Sequence, residues 1–286
     1  MSVWFKAAGG KRGLLPEIDK HIPAKFGRYF EPFCGGAAVY FHLVETGRSG
    51  LVAHLNDANP HMMAAYAAVQ NRLPELLRHL RAHEAHYYSG GRDVTDRTKK
   101  RREAYYYGVR SADPDPVKKQ AEAAARFLFL NRAGFNGLYR VNKSGKFNVP
   151  HGKWKTPPTF CDEGTLTAAS RALLGVTLTC EDFVKALKHV RRGDFVYADP
   201  PYIPVSATAD FTTYTADGFS GEDQIRLRDE ALRLKKLGVR VLLSNRDHPI
   251  VRKLYARGFE MRRIEARRYI NSRSDRRGPA GEVLIW

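Results

Sequence analysis

The chain predicts a doubly wound α/β sheet interrupted by a helical insertion, and three observations lead there. Short apolar runs ending in Gly, Asp or Asn recur near the start and again in the second half. A strong helix signal lies between two of the later runs, and the stretch from about residue 60 to residue 160 switches to helical periodicity. Strands alternating with helices are the pattern of a mostly parallel sheet covered on both faces.

In chain order, Arg28 to Phe33 reads as a strand, a glycine turn follows, Ala37 to Leu43 reads as a helix, and Leu51 to Asp57 as a second strand. The middle contains helical patterns over Met62 to Ala85 and Val117 to Asn131, with the polar, basic stretch Ser89 to Arg102 separating them. Asn131 to Trp154 is rich in Gly, Asn, Arg, Lys and aromatics, too irregular for a helix. Five strand-like runs follow: Val176 to Cys180, Asp194 to Asp199, Val239 to Asn245, Phe259 to Arg263 and Glu282 to Trp286. The clearest helix lies among them. Ser220 stands as N-cap with Asp223 three residues on, Ile225, Leu227, Leu232, Leu234 and Leu237 supply the apolar positions, and Gly238 closes it.

Composition narrows the class. The 286 residues include 43% apolar side chains, enough for a core, and 48 Lys and Arg against 30 Asp and Glu give a net charge of +18. That sign suits a protein that tracks a polyanion, so nucleic acid is the leading partner; the alternative is that the charge only maintains solubility. The three cysteines, Cys34, Cys161 and Cys180, form neither a disulfide framework nor a metal-ligand spacing, so no metal is expected and a reducing cytoplasm fits. No run approaches the roughly 18 apolar residues of a membrane span, and the N-terminus has no apolar signal region.

Ligands of open α/β sheets collect beyond the carboxyl ends of the strands. Three such places carry chemistry. After the first strand, Glu31-Pro32-Phe33-Cys34-Gly35-Gly36 forms a glycine turn that opens a helix, which lets backbone approach a ligand. Asp57 ends the second strand, where an acidic side chain holds ribose hydroxyls in nucleotide-binding folds. The third is Asp199-Pro200-Pro201-Tyr202, after the hydrophobic run Phe195 to Ala198. Two prolines have no N–H to donate and fix φ, so this segment leaves the sheet as a rigid loop presenting a carboxylate, a carbonyl and an aromatic ring together. Such a set fits an exocyclic amine: two acceptors for its hydrogens favour the tetrahedral, nucleophilic nitrogen, while Tyr202 stacks on the base. The plainer reading is a strand-ending turn with a surface tyrosine.

Taken in order, these motifs resemble the adenine-specific DNA methyltransferases of the Dam type, over most of the chain. Phe5 to Lys11 is similar to their N-terminal cofactor motif, Glu31 to Gly36 to the glycine motif, Asp57 to the ribose-binding acid and Asp199 to Tyr202 to the catalytic motif. Ser206 to Thr212 and Ser244-Asn245 are further matches. The resemblance implies a Rossmann-like methyltransferase sheet with a helical target-recognition insertion, and S-adenosyl-L-methionine as cofactor. It assigns the cofactor to Ala7, Lys11, Phe33, Gly35, Gly36, Asp57, Asp182, Phe183 and Asp199, and the reaction to Asp199, Pro200, Pro201 and Tyr202. One departure is Ala7, where the family commonly has an aromatic. The implied division puts a catalytic, cofactor-binding domain at 1–60 and 161–286 and a DNA target-recognition domain with a reading hairpin at 61–160.

The hairpin implied by the resemblance covers Phe135, Asn136, Leu138, Arg140, Asn148, Pro150, Lys153 and Trp154. Arg140 and Lys6 would read guanine, Phe135 would fill space near an extruded base, and Pro150 would touch a thymine methyl. Arg and Asn have the donors and acceptors for base edges, and an aromatic can wedge between base steps. The run Lys99 to Arg102 reads instead as a solvated helix face. The expected activity is methyl transfer from S-adenosyl-L-methionine to N6 of a flipped adenine in double-stranded DNA, in GATC or a related site, by a monomer. The alternatives are an amino-methyltransferase acting on cytosine N4 or RNA, and a non-catalytic DNA-binding protein of the same fold.

Overall fold

The computed structural model describes residues 4–5, 11–48, 50–142, 145–154, 156, 158–202, 219–267 and 279–286. Lys6, Ala7 and Ser206 to Thr212 lie outside the described residues. The chain divides into two compact units, one of Met1–Gly10 with Asn59–Cys180 and one of Lys11–Ala58 with Glu181–Trp286. The helical unit therefore extends past the 61–160 insertion at its C-terminal end and takes in the first ten residues.

In chain order the elements are α1 (Leu15–Asp19), β1 (Tyr29–Glu31), α2 (Ala38–Glu45), β2 (Ala53–Asn56), α3 (Pro60–Asn71), α4 (Leu73–Tyr87), α5 (Asp96–Ser111) and α6 (Gln120–Ala133). They continue as α7 (Glu163–Ala172), β3 (Thr177–Thr179), α8 (Phe183–Ala186), β4 (Phe195–Ala198), α9 (Gly221–Lys236), β5 (Arg240–Arg246), α10 (Pro249–Tyr255), β6 (Met261–Arg267) and β7 (Pro279–Ile285). Among the described residues of the Lys11–Ala58 and Glu181–Trp286 unit, six strands form a sheet in the order β2-β1-β4-β5-β7-β6.

The Lys11–Ala58 and Glu181–Trp286 unit holds the parallel part of that sheet. β1 pairs in parallel with β2 and β4, and β4 with β5, whereas β7 runs antiparallel to both β5 and β6. From β1 the chain goes first to one side and later, with β4, to the other. The β1/β4 boundary is thus the switch point at which strand ends diverge and leave a crevice. All residues of β1 and β4 are buried, as a strand covered on both faces requires. Phe30, Val196, Ala198, Val241, Leu243, Val283 and Ile285 share one core with Leu227, Ala231 and Leu234 of α9 and Val251 and Tyr255 of α10. Each large apolar side chain buried this way contributes about 1.5–3 kcal/mol.

The α9 expectation holds in detail. The Ser220 hydroxyl accepts from the Asp223 amide at 3.1 Å, the Asp223 carboxylate accepts from the Ser220 amide at 2.9 Å, and Gly238 beyond the helix end has φ of +79°.

The other unit is built around α6, whose Ala121, Ala123, Ala124, Ala125, Phe127, Leu128, Phe129 and Leu130 are all buried. A helix buried on nearly every side must run through the middle of its neighbours. Trp4 and Phe5 pack edge-on against Tyr66 of α3, at 4.9 and 5.8 Å between ring centroids, and Phe5 against Phe127 of α6 at 5.4 Å. Two expectations change here. The pattern over Met62 to Ala85 is two helices, because Pro74 lacks the N–H that would continue α3 and Arg72 adopts φ of −136°. The separator Ser89 to Arg102 ends earlier, since Thr95 caps α5 by accepting from the Thr98 amide. Within Lys99 to Arg102, three side chains are exposed as expected, but Arg102 is buried. Its guanidinium lies 5.7 and 5.0 Å from the Tyr87 and Tyr88 rings and donates to the Gly91 and Asp93 carbonyls, which replaces its hydration.

Candidate active site

β4 is a buried apolar strand, and the two prolines after Asp199 end its ladder at the carboxyl edge of the sheet. The carboxylate emerging there is held at both oxygens. Lys11 Nζ lies 2.8 Å from Asp199 Oδ2, and the Ser244 hydroxyl on β5 donates to Oδ1 at 2.8 Å. Tyr197 Oη and Ser244 Oγ are in turn 2.9 Å apart, fully buried. Lys11 is only 4% exposed and Asp199 20%, so this ion pair sits at the bottom of the site with one carboxylate edge toward solvent. The loop backbone is fixed as well: buried Gln224 of α9 donates to the Pro201 carbonyl at 3.1 Å and accepts from Asn245 Nδ2 at 3.2 Å. Tyr202 donates its hydroxyl to Glu282 at 2.9 Å. Burial, then the charges of Asp199 and Glu282, push this phenol far above its ordinary value, so it stays a donor.

The glycine turn follows β1. Gly35 has φ of +47° and Ala37, the residue before α2, also lies in the left-handed region, φ 46° and ψ 42°. A non-glycine residue there costs of order 1 kcal/mol and is found where neighbours over-determine the backbone. The Gly35 amide donates to Asp57 Oδ2 at 3.0 Å, which ties the turn to the end of β2. Next to it, buried Asn56 donates to the carbonyls of Pro32 and Glu181 and accepts from the Glu181 amide. One amide side chain therefore brings together the ends of β1 and β2 and the segment that leads into Asp182 and Phe183.

Asp182 caps α8 and is gripped by Arg226, whose Nη2 lies 2.9 Å from both carboxylate oxygens. The same guanidinium stands 4.9 Å from the Phe183 ring. Phe183 is buried at 5% exposure and packs against Phe33 at 5.2 Å, while Phe33 is part-buried and meets Phe219 edge-on at 5.5 Å. Phe33 is thus the more accessible of the two rings.

Glu31, at the tip of β1, is fully buried and accepts from the Tyr29 hydroxyl at 2.8 Å. Burial drives its carboxyl up to about 8; the Tyr29 hydrogen bond opposes this and the charge of Asp199 adds to it. The folded protein keeps this proton to about pH 8, whereas the unfolded chain releases it near the ordinary value of 4.5. The native state is therefore favoured below pH 4.5 and loses that advantage as pH rises to 8. Glu31→Gln, which mimics the protonated form, should melt within a few degrees of wild type in acid and clearly above it at pH 8. Calorimetric melting across that range checks the sign, and equal midpoints at pH 8 would contradict a neutral Glu31.

In the helical unit, Gly134 to His151 doubles back as a hairpin, with bridges Gly134 to His151 and Val141 to Phe147. The Phe135 amide donates to the Pro150 carbonyl at 2.9 Å and the Asn148 amide to the Arg140 carbonyl at 3.0 Å. Asn136, at φ 57°, makes the left-handed step that asparagine tolerates best among non-glycine residues. Tyr139 packs on Phe127 and Phe147, and Tyr106 of α5 donates to the Val149 carbonyl at 3.0 Å, so the hairpin is anchored by its inner side. Its outer side carries exposed Arg140, Pro150 and Lys153 with part-buried Phe135, Leu138, Asn148 and Trp154. Arg140 Nε donates to Asn148 Oδ1 at 2.7 Å, which holds two of the expected reading residues together. Trp154 instead donates to the Ala133 carbonyl at 3.2 Å and fills the space beside Gly152, where a Cβ would come within 2.6 Å of it.

Several residues that shape the site carried no signal of their own. Glu282, Gln224, Asn56 and Arg226 lie in ordinary strand or helix patterns, and only folding places them against the loops. Capping chemistry pointed to Ser220 and Asp223, one step from Gln224, but not to where Gln224 points.

A sequence profile described as the D12 class of N6 adenine-specific DNA methyltransferases matches residues 8–270. The chain is 38% identical over 285 residues to a type II methyltransferase of Lactococcus lactis subsp. cremoris, covering 98% of this chain and 93% of that one. It is 37% identical over 286 residues to a type II methyltransferase of Methanocaldococcus jannaschii, covering 96% and 94%. It is 32% identical over 283 residues to the DNA adenine methylase of Escherichia coli strain K12, covering 98% and 93%. With a carboxylate-proline-proline-tyrosine loop at the sheet edge and a glycine turn tied to an acidic strand end, the chain belongs to the D12 class of N6 adenine-specific DNA methyltransferases.

Proposed function

We propose that this adenine-N6 DNA methyltransferase takes its target adenine out of the duplex, in GATC or a closely related site, and presents the amine to Asp199 and the Pro200 carbonyl. The observation that carries this reading is the Asp199 carboxylate, held at both oxygens by buried groups at the end of β4. A carboxylate fixed in this way accepts a hydrogen bond from the incoming amine without reorganising, and the lone pair freed from the ring becomes the nucleophile. Extrusion of the base follows from access, because the nitrogen is paired inside the stack. Tyr202 then stacks on the purine.

S-adenosylmethionine is the methyl donor of this class, supplying a methyl group on a positively charged sulfur. The side chains present suit it. Asp57 offers a carboxylate to ribose hydroxyls beside the left-handed Gly35, and Phe33 over Phe183 offers an aromatic surface to an adenine ring. Asp182, already fixed by Arg226, stands next to those rings. Gly36, Lys11 and, outside the described residues, Ala7 complete the assignment. Among the described residues no helix is long and apolar enough to cross a membrane, and no group of three or more side chains has the makings of a metal site.

The hairpin is assigned to site reading. Arg140 reads a guanine, Asn136 and Asn148 offer amide groups to base edges, Pro150 meets a thymine methyl, and Phe135 and Leu138 fill space left by the flipped base. Lys153 and Trp154 complete the DNA-reading assignment at the end of the hairpin, and Lys6 is assigned to a second guanine contact. Arg140→Ala should lower discrimination at one base pair by about 10–100-fold and leave non-specific binding nearly unchanged, which competition binding on single-substituted duplexes will measure.

Incubation with tritiated donor and adenine-containing duplex, followed by sequencing of methylated plasmid, tests the reaction and the site together. Label in N6-methyladenine within one short sequence is the expected result; label spread over unrelated sequences would remove the hairpin assignment. The match to an adenine-specific class sets the cytosine, RNA and non-catalytic alternatives aside, and mass spectrometry of digested product distinguishes them.

A further inference from the structure

β7 is the strand that runs against the parallel set, so its first residues, rather than its last, lie at the carboxyl edge where the catalytic loop sits. Glu282 faces Arg246 of β5 in the register and Ile264 of β6. It is 6% exposed and accepts the Tyr202 hydroxyl at 2.9 Å, while its Oε2 is 3.9 Å from Lys11 Nζ. Lys11 Nζ also stands 4.9 Å from the centroid of the Tyr202 ring. One carboxylate therefore fixes the hydroxyl end of the ring and supports the ammonium that lies over it.

We propose that Glu282 is a positioning residue for methyl transfer, which locks the Tyr202 ring so that Lys11 covers one face and the target base takes the other. This rests on the reading of Tyr202 as the stacking platform. A tyrosine free to rotate about χ1 and χ2 would spend part of its time out of stacking geometry; an anchored hydroxyl removes that freedom before the base arrives. The cation on one face polarises the ring and leaves the opposite face for the base.

Turnover number, KM for duplex and thermal midpoint are to be compared for E282A, E282Q, Y202F, Y202A and the double variant E282A/Y202F. Glu282→Ala and Tyr202→Phe should each lower kcat by about tenfold with KM for DNA changed less than about threefold. The double variant should fall no further than the worse single one, because both remove the same hydrogen bond. Glu282→Gln, which still accepts from the hydroxyl, should recover to within about threefold of wild type. Wild-type kcat in folded E282A, or losses that multiply in the double variant, would overturn the proposal. If E282A does not fold, wild-type kcat in Y202F overturns it instead. Tyr202→Ala separates the two ideas: a loss there with wild-type Y202F and E282Q condemns Glu282 alone, whereas wild-type kcat in Y202A condemns the stacking platform itself.

Discussion

Asp199→Ala should reduce methyl transfer by at least about 10³-fold while duplex affinity stays within a few-fold of wild type. On the proposed reading the Asp199 carboxylate accepts from the amine, and because Lys11 and Ser244 hold its two oxygens it needs no rotation on substrate arrival. Removing a preorganised group that acts on developing charge costs rate rather than ground-state binding. In DNA-binding proteins affinity comes mainly from phosphate contacts by Lys and Arg, and this substitution removes neither residue type. Single-turnover transfer and salt-dependent duplex binding, measured on the same preparation, check both halves. Equal loss of binding and rate would show that Asp199 holds DNA in place rather than activating the amine.

Lys11→Met should cost about 3–5 kcal/mol of stability, the usual result of removing one partner from a buried ion pair. Asp199 and Glu282, whose side chains are 20% and 8% exposed, would then lose the ammonium they share. In a domain of this size a loss of that order lowers the melting midpoint by roughly 10 °C. Melting curves of wild type and K11M read this directly. A deficit below about 1 kcal/mol would mean that the lysine charge contributes no more than an exposed ion pair does.

Much of the site was legible because its signals are local. A Pro-Pro pair after four apolar residues ends a strand whatever surrounds it, so Asp199 could be placed at the sheet edge from the sequence. The α9 cap was readable for the same reason, since Ser220 and Asp223 satisfy each other three residues apart. Helix boundaries in the middle were less legible, because Pro74 interrupts a periodicity that runs through it and the Thr95 cap lies inside a polar stretch with no periodicity to mark a helix. Arg102 belonged to a basic run that reads as solvated, and only the nearby tyrosines and the Gly91 and Asp93 carbonyls make a buried guanidinium tolerable there.

By itself, the order of residues determined the alternation of strands and helices, the proline loop and the glycine turn, because burial period, φ restriction and capping all operate within a few neighbours. Tertiary structure alone decided which groups hold the loop. Ser244 reaches Asp199 from 45 positions away and Glu282 reaches Tyr202 from 80, and such pairings depend on strand order and direction. Reversal of β7 is the physical reason: it carries an acidic side chain to the carboxyl edge, and no local pattern records which edge a strand will face.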